Sequence, residues 1–434
     1  MDTASSLPVP AVSAAGTGSG ARGVLAALCI TEITSWGVLY YAFPVLAPVI
    51  TADTGWSTPA ITAAFSAALI VAALVGIPVG RVLDRRGPHA LMTGGSVLAA
   101  IATVAVAAAP SPLWFAAAWS LAGVAMSAVL YQPAFAALTR YYAPRHLSAL
   151  TTLTLVAGLA STVFAPLTDT LAAHLTWRGV YLALAGVLAA VTIPLHAIAL
   201  RRPWPGSSGA RPAVADHATD HATDHATDHG TAHAVRPPAV RHITRSRPFW
   251  LLAIALTLSA FAMFAVLINL IPLLTHRGAS PTLAAWALGL GGIGQVAGRL
   301  CYRPLSRRTS VRGRTAWILG LSAATTAALA LIPGPMQLLI AVVVLAGITR
   351  GIATLLQATA VTDRWGIAAY GTLSGILAAP VTVATALAPW AGAALADALG
   401  SYPALFTVLA LAAALAALLA SAPDPPQRDS SHRT

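Results

Sequence analysis

The chain of 434 residues has no lysine, one glutamate and two cysteines, and only 9% of its residues are charged. A soluble domain carries about 25% charged residues. So small a share cannot coat a globule of this size, which excludes an ordinary soluble protein. The cysteines, Cys29 and Cys301, lie in or at the end of apolar runs and give no disulfide framework. There is no Walker A motif, which excludes ATP hydrolysis by a P-loop. The histidines outside a central repeat fall at the ends of apolar runs or in loops with no paired acid, so no cluster suggests a membrane-embedded enzyme. No stretch is long enough for the soluble output domain of a sensor. The first 21 residues lack the basic start of a signal peptide and read as a tail.

What the chain does have is apolar length. Hydrophobic residues make up 57% of it and the mean hydropathy is +0.76. A membrane-crossing helix needs about 20 mostly apolar residues. Twelve segments qualify: 23–49, 58–82, 90–109, 113–138, 147–168, 178–200, 248–272, 282–301, 315–333, 336–361, 370–393 and 402–421. The formal charge of +12 suggests a nucleic-acid partner. The arginines, however, fall in short loops between apolar runs, as the positive-inside bias requires, so no nucleic acid is expected. Alternating the loops leaves Arg178 and Arg277 on one side, Arg350 inside the membrane and the remaining arginines on the other side, with both termini. That side is expected to be cytoplasmic.

The expected fold is all-α and integral to the membrane, with twelve helices in two six-helix bundles, 23–200 and 248–421. Tails 1–22 and 422–434 and a central linker 201–247 complete the chain. Linker residues Asp216 to His229 repeat Asp-His-Ala-Thr, and histidines recur at 217, 221, 225, 229 and 233. On a helix that stripe could bind zinc or nickel. Flanking glycine and proline and the low complexity favour an expanded linker instead. No metal or other cofactor is expected.

Between the second and third segments stands Gly76-Ile-Pro-Val-Gly80-Arg81-Val82-Leu83-Asp84-Arg85-Arg86-Gly87, and a worn copy recurs at Gly294-Gln-Val-Ala-Gly298-Arg299-Leu300-Cys301-Tyr302-Arg303. Thr139-Arg140-Tyr141, Ala165-Pro166 and Tyr181 are echoed by Thr362-Asp363-Arg364, Ala388-Pro389 and Tyr402. All these offsets agree at about 220 residues, the mark of parallel six-helix repeats. Gly76/Gly80 and Gly294/Gly298 are G-x-x-x-G pairs that let helices approach closely.

The spacing Gly80, Asp84, Arg85, Gly87 (G-x-x-x-D-R-x-G) resembles the major facilitator superfamily. Two basic residues usually follow there; this chain has Pro88 and His89. Ser35-Trp36-Gly37 and Arg140-Tyr141-Tyr142-Ala143-Pro144-Arg145 are similar to the monocarboxylate/oxalate-type branch. The resemblance implies alternating access around a cavity lined by spans one, four, seven and ten. It also implies a latch in which Asp84 meets Arg140 and the start of span eleven near Tyr370-Gly371. Tyr302 replaces the aspartate in the second copy, so Asp84 is expected to carry the latch alone.

Glu32 lies about ten residues into span one; at ~1.5 Å per residue that is close to the midplane. A carboxylate there costs at least ~2.5–3.5 kcal/mol unless a cavity or a partner receives it. Ser35, Trp36 and Tyr40 continue its face. The functional reading is a proton-coupling carboxylate; the bland one is a neutral structural residue. Arg350 is equally deep in span ten and shares a face with Thr354 and Gln357. A guanidinium there favours a carboxylate or phosphate, or is merely held by backbone carbonyls. Trp119, Ser127 and Tyr131 in span four and Thr257, Phe261 and Phe264 in span seven are further cavity candidates, with plain aromatic packing as the alternative.

The expected function is secondary active transport of a small organic anion, such as a monocarboxylate, coupled to a proton. The alternative is proton-driven efflux of a drug or apolar metabolite. The protein is expected to be no enzyme, to act as a monomer among membrane lipids, and to span the cell's inner (plasma) membrane many times.

Overall fold

Inside a bilayer every backbone N–H and C=O needs a partner within the protein, which favours helices. A computed structural model describes residues 20–142, 146–202, 243–365 and 370–421. Regular structure among them is entirely helical. In the first half of the chain it comprises α1 (Gly20–Trp36), α2 (Ala42–Thr54), α3 (Thr58–Arg86), α4 (Pro88–Ala107), α5 (Pro112–Val129), α6 (Tyr131–Tyr141), α7 (His146–Ala157), α8 (Ala160–Ala172), α9 (Trp177–Val187) and α10 (Ile193–Ala199). The second half has α11 (Arg247–His276), α12 (Pro281–Arg308), α13 (Val311–Leu331), α14 (Met336–Thr359), α15 (Thr362–Trp365), α16 (Tyr370–Leu399) and α17 (Tyr402–Ser421). The N-terminal tail up to residue 19, the whole C-terminal tail, the histidine repeat, Arg145, and the side chains of Asp84 and Tyr370 lie outside the described residues.

Among the described residues, eleven helical stretches are long and apolar enough to cross a membrane. The segment expected as the eighth span lies in α12, which is helical but is not among the eleven. Its glycines, Gln295 and arginines dilute its apolar character, and the packing shows what they do. A Cβ on Gly294 would stand 2.3 Å from the Val344 carbonyl oxygen, and one on Gly298 would stand 2.0 Å from that of Ile348. Reciprocally, a Cβ on Gly347 would stand 2.1 Å from the Gly291 carbonyl oxygen, and one on Gly351 would stand 2.0 Å from that of Gln295. Helices α12 and α14 are thus interlocked backbone to backbone, as small residues at membrane interfaces allow. The first-half pair does less. Gly76 meets only the Gln132 side chain, and Gly80 faces open space.

Gly87 has φ +77°, a left-handed conformation that favours glycine. It ends α3 with its N–H donating to the Leu83 carbonyl, and Pro88 starts α4 at once. That explains how so short a turn joins two spans. Between α1 and α2, Gly37–Tyr41 form a widened π-turn, with the Ala42 N–H donating to Gly37. Pro44, just beyond, cannot donate to the Tyr40 carbonyl, so the regular ladder is interrupted here.

The halves touch at several levels. The Trp390 N–H donates to Ser66 Oγ (3.1 Å), Thr162 Oγ1 donates to the Gly289 carbonyl (2.8 Å), and the Tyr40 and Phe264 rings meet edge to face at 6.4 Å. The two arginines set apart by the loop pattern are both pinned. Arg178 pairs with Asp53 at 3.2 Å, and Arg277 donates to the Ala330 and Ile332 carbonyls at the end of α13.

The interlock yields a testable contrast. Gly298→Ala and Gly351→Ala are expected to cost about 1–3 kcal/mol by overpacking, while Gly80→Ala is close to neutral. Melting of the detergent-purified protein measures this; three equal shifts would remove the special role of the α12–α14 contact.

Candidate functional site

Glu32 is fully buried, and neither carboxylate oxygen has a hydrogen-bond partner. Nor do the neighbouring polar atoms Ser35 Oγ, Trp36 Nε1 and Tyr40 OH, all buried. Trp36 packs between Tyr40 (5.4 Å) and Tyr131 (5.1 Å), and Tyr131 stacks on Phe135 at 5.1 Å. The stripe expected on span one therefore exists, and Tyr131 of span four joins it.

Across from this stripe stands the second half. Arg350 donates from Nε to Gln295 Oε1 at 3.1 Å, and its Nη2 is buried with no hydrogen-bond partner. Tyr40, Tyr41 and Arg299 lie within its electrostatic reach. Glu32 and Arg350 form no ion pair. Arg299 is a residue the sequence reading counted with the loop arginines. It is 8% exposed, lies within electrostatic reach of Tyr131, and donates from Nη1 to the Thr154 carbonyl of α7 while its Nε is unpartnered. Its position inside the expected limits of span eight was the signal that marked it. The centre thus assembles two guanidinium groups, one carboxyl and a wall of aromatic rings.

The other candidates separate. Trp119 is buried among Phe43, Phe65, Phe115 and Tyr181, in the packing core of the first half rather than beside Glu32. Phe261 packs half-buried against the core, while Phe264, one turn on, meets Tyr40. Thr354 Oγ1 donates to the Arg350 carbonyl, and Gln357 is half-buried further along α14. A cavity of about 460 Å³ opens between the halves beyond Tyr40, lined by Pro44, Thr51, Thr62, Asn269, His276 and Tyr402.

The Major Facilitator Superfamily model matches residues 28–379. The chain belongs to this superfamily. Its members are multi-pass membrane transporters rather than enzymes. Over 228 residues the chain is 29% identical to monocarboxylate transporter 13 of Bos taurus; the match covers 52% of this chain and spans about half (47%) of that protein. A solved bacterial homolog of the human lysosomal transporter Spinster, inward-facing and occupied, superposes with a TM-score of 0.65 at 16% identity, covering 93% of this chain and 97% of that one. The nucleoside transporter NupG gives 0.67 at 13% identity over 92% and 98%. At these identities the likeness shows the fold.

In this member of the superfamily Gly80 is half-exposed, Arg85 is exposed, and Arg140 is half-buried at the end of α6. In the second half Tyr302 replaces the motif carboxylate. Its hydroxyl lies 2.5 Å from Thr359 Oγ1, and the Arg314 guanidinium lies over its ring at 5.6 Å. Arg314 pairs with Asp363, so a carboxylate returns to this corner from another stretch of the chain.

His196, near the end of the sixth span, has hydroxyl partners rather than an acid. It is fully buried, with Nδ1 2.7 Å from Ser96 Oγ and Nε2 2.9 Å from Thr31 Oγ1. It ties the first, third and sixth spans together next to Glu32. His196→Ala removes both contacts between the helices, leaving Ser96 and Thr31 only their bonds to the Met92 and Leu28 carbonyls, and is expected to cost about 1–3 kcal/mol, with His196→Asn costing less. An unshifted melting temperature for His196→Ala would show that the imidazole tethers nothing.

Proposed function

We propose that this transporter carries a small organic anion, best matched by a monocarboxylate, together with a proton. The supporting observation is the half-buried Arg350, with a buried guanidinium nitrogen unpartnered, on the opposite half from a fully buried, unpaired Glu32. A desolvated guanidinium favours a carboxylate in two-pronged geometry. The rings of Trp36, Tyr40, Tyr131 and Phe264 suit the apolar body attached to that carboxylate. The partial match to a monocarboxylate transporter agrees with this reading.

Charge balance gives a reason for coupling. With Glu32 ionised and no substrate, Glu32, Arg299 and Arg350 sum to one positive charge. With Glu32 protonated and one anion bound, the sum is the same. Proton alone or anion alone changes it, and an altered buried charge is costly in the membrane. Only the empty and the doubly loaded site would then close and reopen readily. The halves 23–200 and 248–421 would rock about this site, with α12 counted as a crossing and the arginine-rich loops in the cytoplasm of a cell with this protein in its inner membrane. Tyr40 and Phe264 would separate the site from the cavity on the other face. Gly80, Asp84, Arg85, Gly87 and Arg140 would form the cytoplasmic latch.

Uptake into proteoliposomes tests this. Monocarboxylate accumulation should follow an imposed proton gradient. Arg350→Ala should lower uptake by at least about thirtyfold, the cost of stranding a buried charge partner. Glu32→Gln should abolish the response to the gradient while anion exchange persists. Gradient-driven uptake that survives both changes would refute the assignment, and gradient-driven extrusion of an apolar compound without anion transport would favour efflux.

A further inference from the structure

A separate feature lies where α12, α13 and α14 meet near the arginine-rich turn that follows α12. A groove of about 350 Å³ is walled by Leu305, Trp317, Ile318, Leu321 and Ile352, with Cys301 at its edge and Arg308 as its charged side chain. It lies away from the transport site. Thr349 and Ile352 line it, whereas Arg350, between them on α14, lines a different cavity with Gly291 and Thr325. Pro304, also in the lining, cannot donate to the Leu300 carbonyl, so the last turns of α12 are loosened just where the groove forms. The surroundings face lipid: Leu300 is 61% and Trp317 71% exposed.

Charge completes the pattern. From Pro304 to Arg314 the chain carries Arg307, Arg308, Arg312 and Arg314 and no acidic residue. Arg314 is engaged with Asp363, while Arg307 and Arg308 are exposed. An apolar trough ending at solvent-facing guanidinium groups has the complementary form of an amphiphile with an anionic head. Basic sites between helices at the cytoplasmic surface hold such headgroups.

We propose that this groove binds an anionic phospholipid, with an acyl chain along Leu305, Ile318, Leu321 and Ile352 and the phosphate at Arg308, flanked by Arg307. Its assignment to the cytoplasmic leaflet rests on the orientation argued above; the binding does not. The occupant packs on α14 on either side of Arg350, so it braces the helix that carries the substrate site without entering that site.

The test uses the full chain in nanodiscs. Cys301 is exposed and Cys29 buried, so a bimane label on Cys301 in a Cys29→Ala background reports on the groove. Doxyl-labelled phosphatidylglycerol and doxyl-labelled phosphatidylcholine are compared at equal mole fraction. The anionic lipid should be enriched about fivefold at the label for each arginine engaged. Arg308→Gln should cut the excess and the Arg307→Gln/Arg308→Gln pair should abolish it. Arg308→Lys should retain it, and Arg81→Gln, on the other half, should leave it unchanged. Soluble glycerol phosphate should not displace the lipid. Equal quenching by both lipids, an excess that survives the double change, or displacement by glycerol phosphate would overturn the proposal. Absence of the lipid preference in the chain with Arg307 and Arg308 in place, with gradient-driven anion uptake intact, would overturn this site alone.

Discussion

A charge in the middle of a bilayer must be met by something, and this constraint orders the protein. Toward the ends of the spans each charge finds a conventional answer: Arg178 has Asp53, Arg277 has the carbonyls at the end of α13, and Arg314 has Asp363. At the centre the answers are incomplete. Arg299 has a backbone carbonyl and Arg350 a neutral glutamine, while Glu32 has no hydrogen-bond partner. A carboxyl and two guanidinium groups kept inside the helices without an opposite charge are costly as structure. On the proposed function they form a receptor whose missing pieces come from solution.

Much of this was legible in the sequence because the membrane simplifies the code. Apolar length marks spans, and an acid or base inside such a length stands out against its neighbours; Glu32 and Arg350 were found that way. Trp36 and Tyr40 followed from helical spacing. Trp119 misled because an aromatic ring reads the same whether it faces a cavity or a packing core, and only the third dimension separates the two. Arg299 was passed over because a charge near the end of an apolar run is ordinarily a loop residue. His196 was discounted for the same reason, and its partners, Thr31 and Ser96, are distant in the chain.

The eighth span shows the limit most plainly. By apolarity it is the poorest of the expected set, yet it is the helix through which α14 and α8 are brought together. Its glycines lower its hydropathy and at the same time let the α14 backbone approach within contact distance. A scale that scores side chains one at a time registers the loss and misses the gain, because the gain belongs to a pair of helices. The repeat between halves has the same character. Gly294/Gly298 and Gly76/Gly80 look alike in sequence, but only the second-half pair meets a backbone.

That backbone contact also fixes a geometry. Arg299 and Arg350 project from two helices that cannot slide past one another without driving glycine against carbonyl oxygen. The two guanidinium groups therefore stand as tines on one rigid base, and the main chain fixes the separation of their Cα atoms. Glu32 belongs to the other half and has no such bond to them. In the proposed rocking of the halves, the base of the fork would stay constant and its distance to the carboxyl would vary. On the proposed function, the fork would measure the substrate and the carboxyl would keep time.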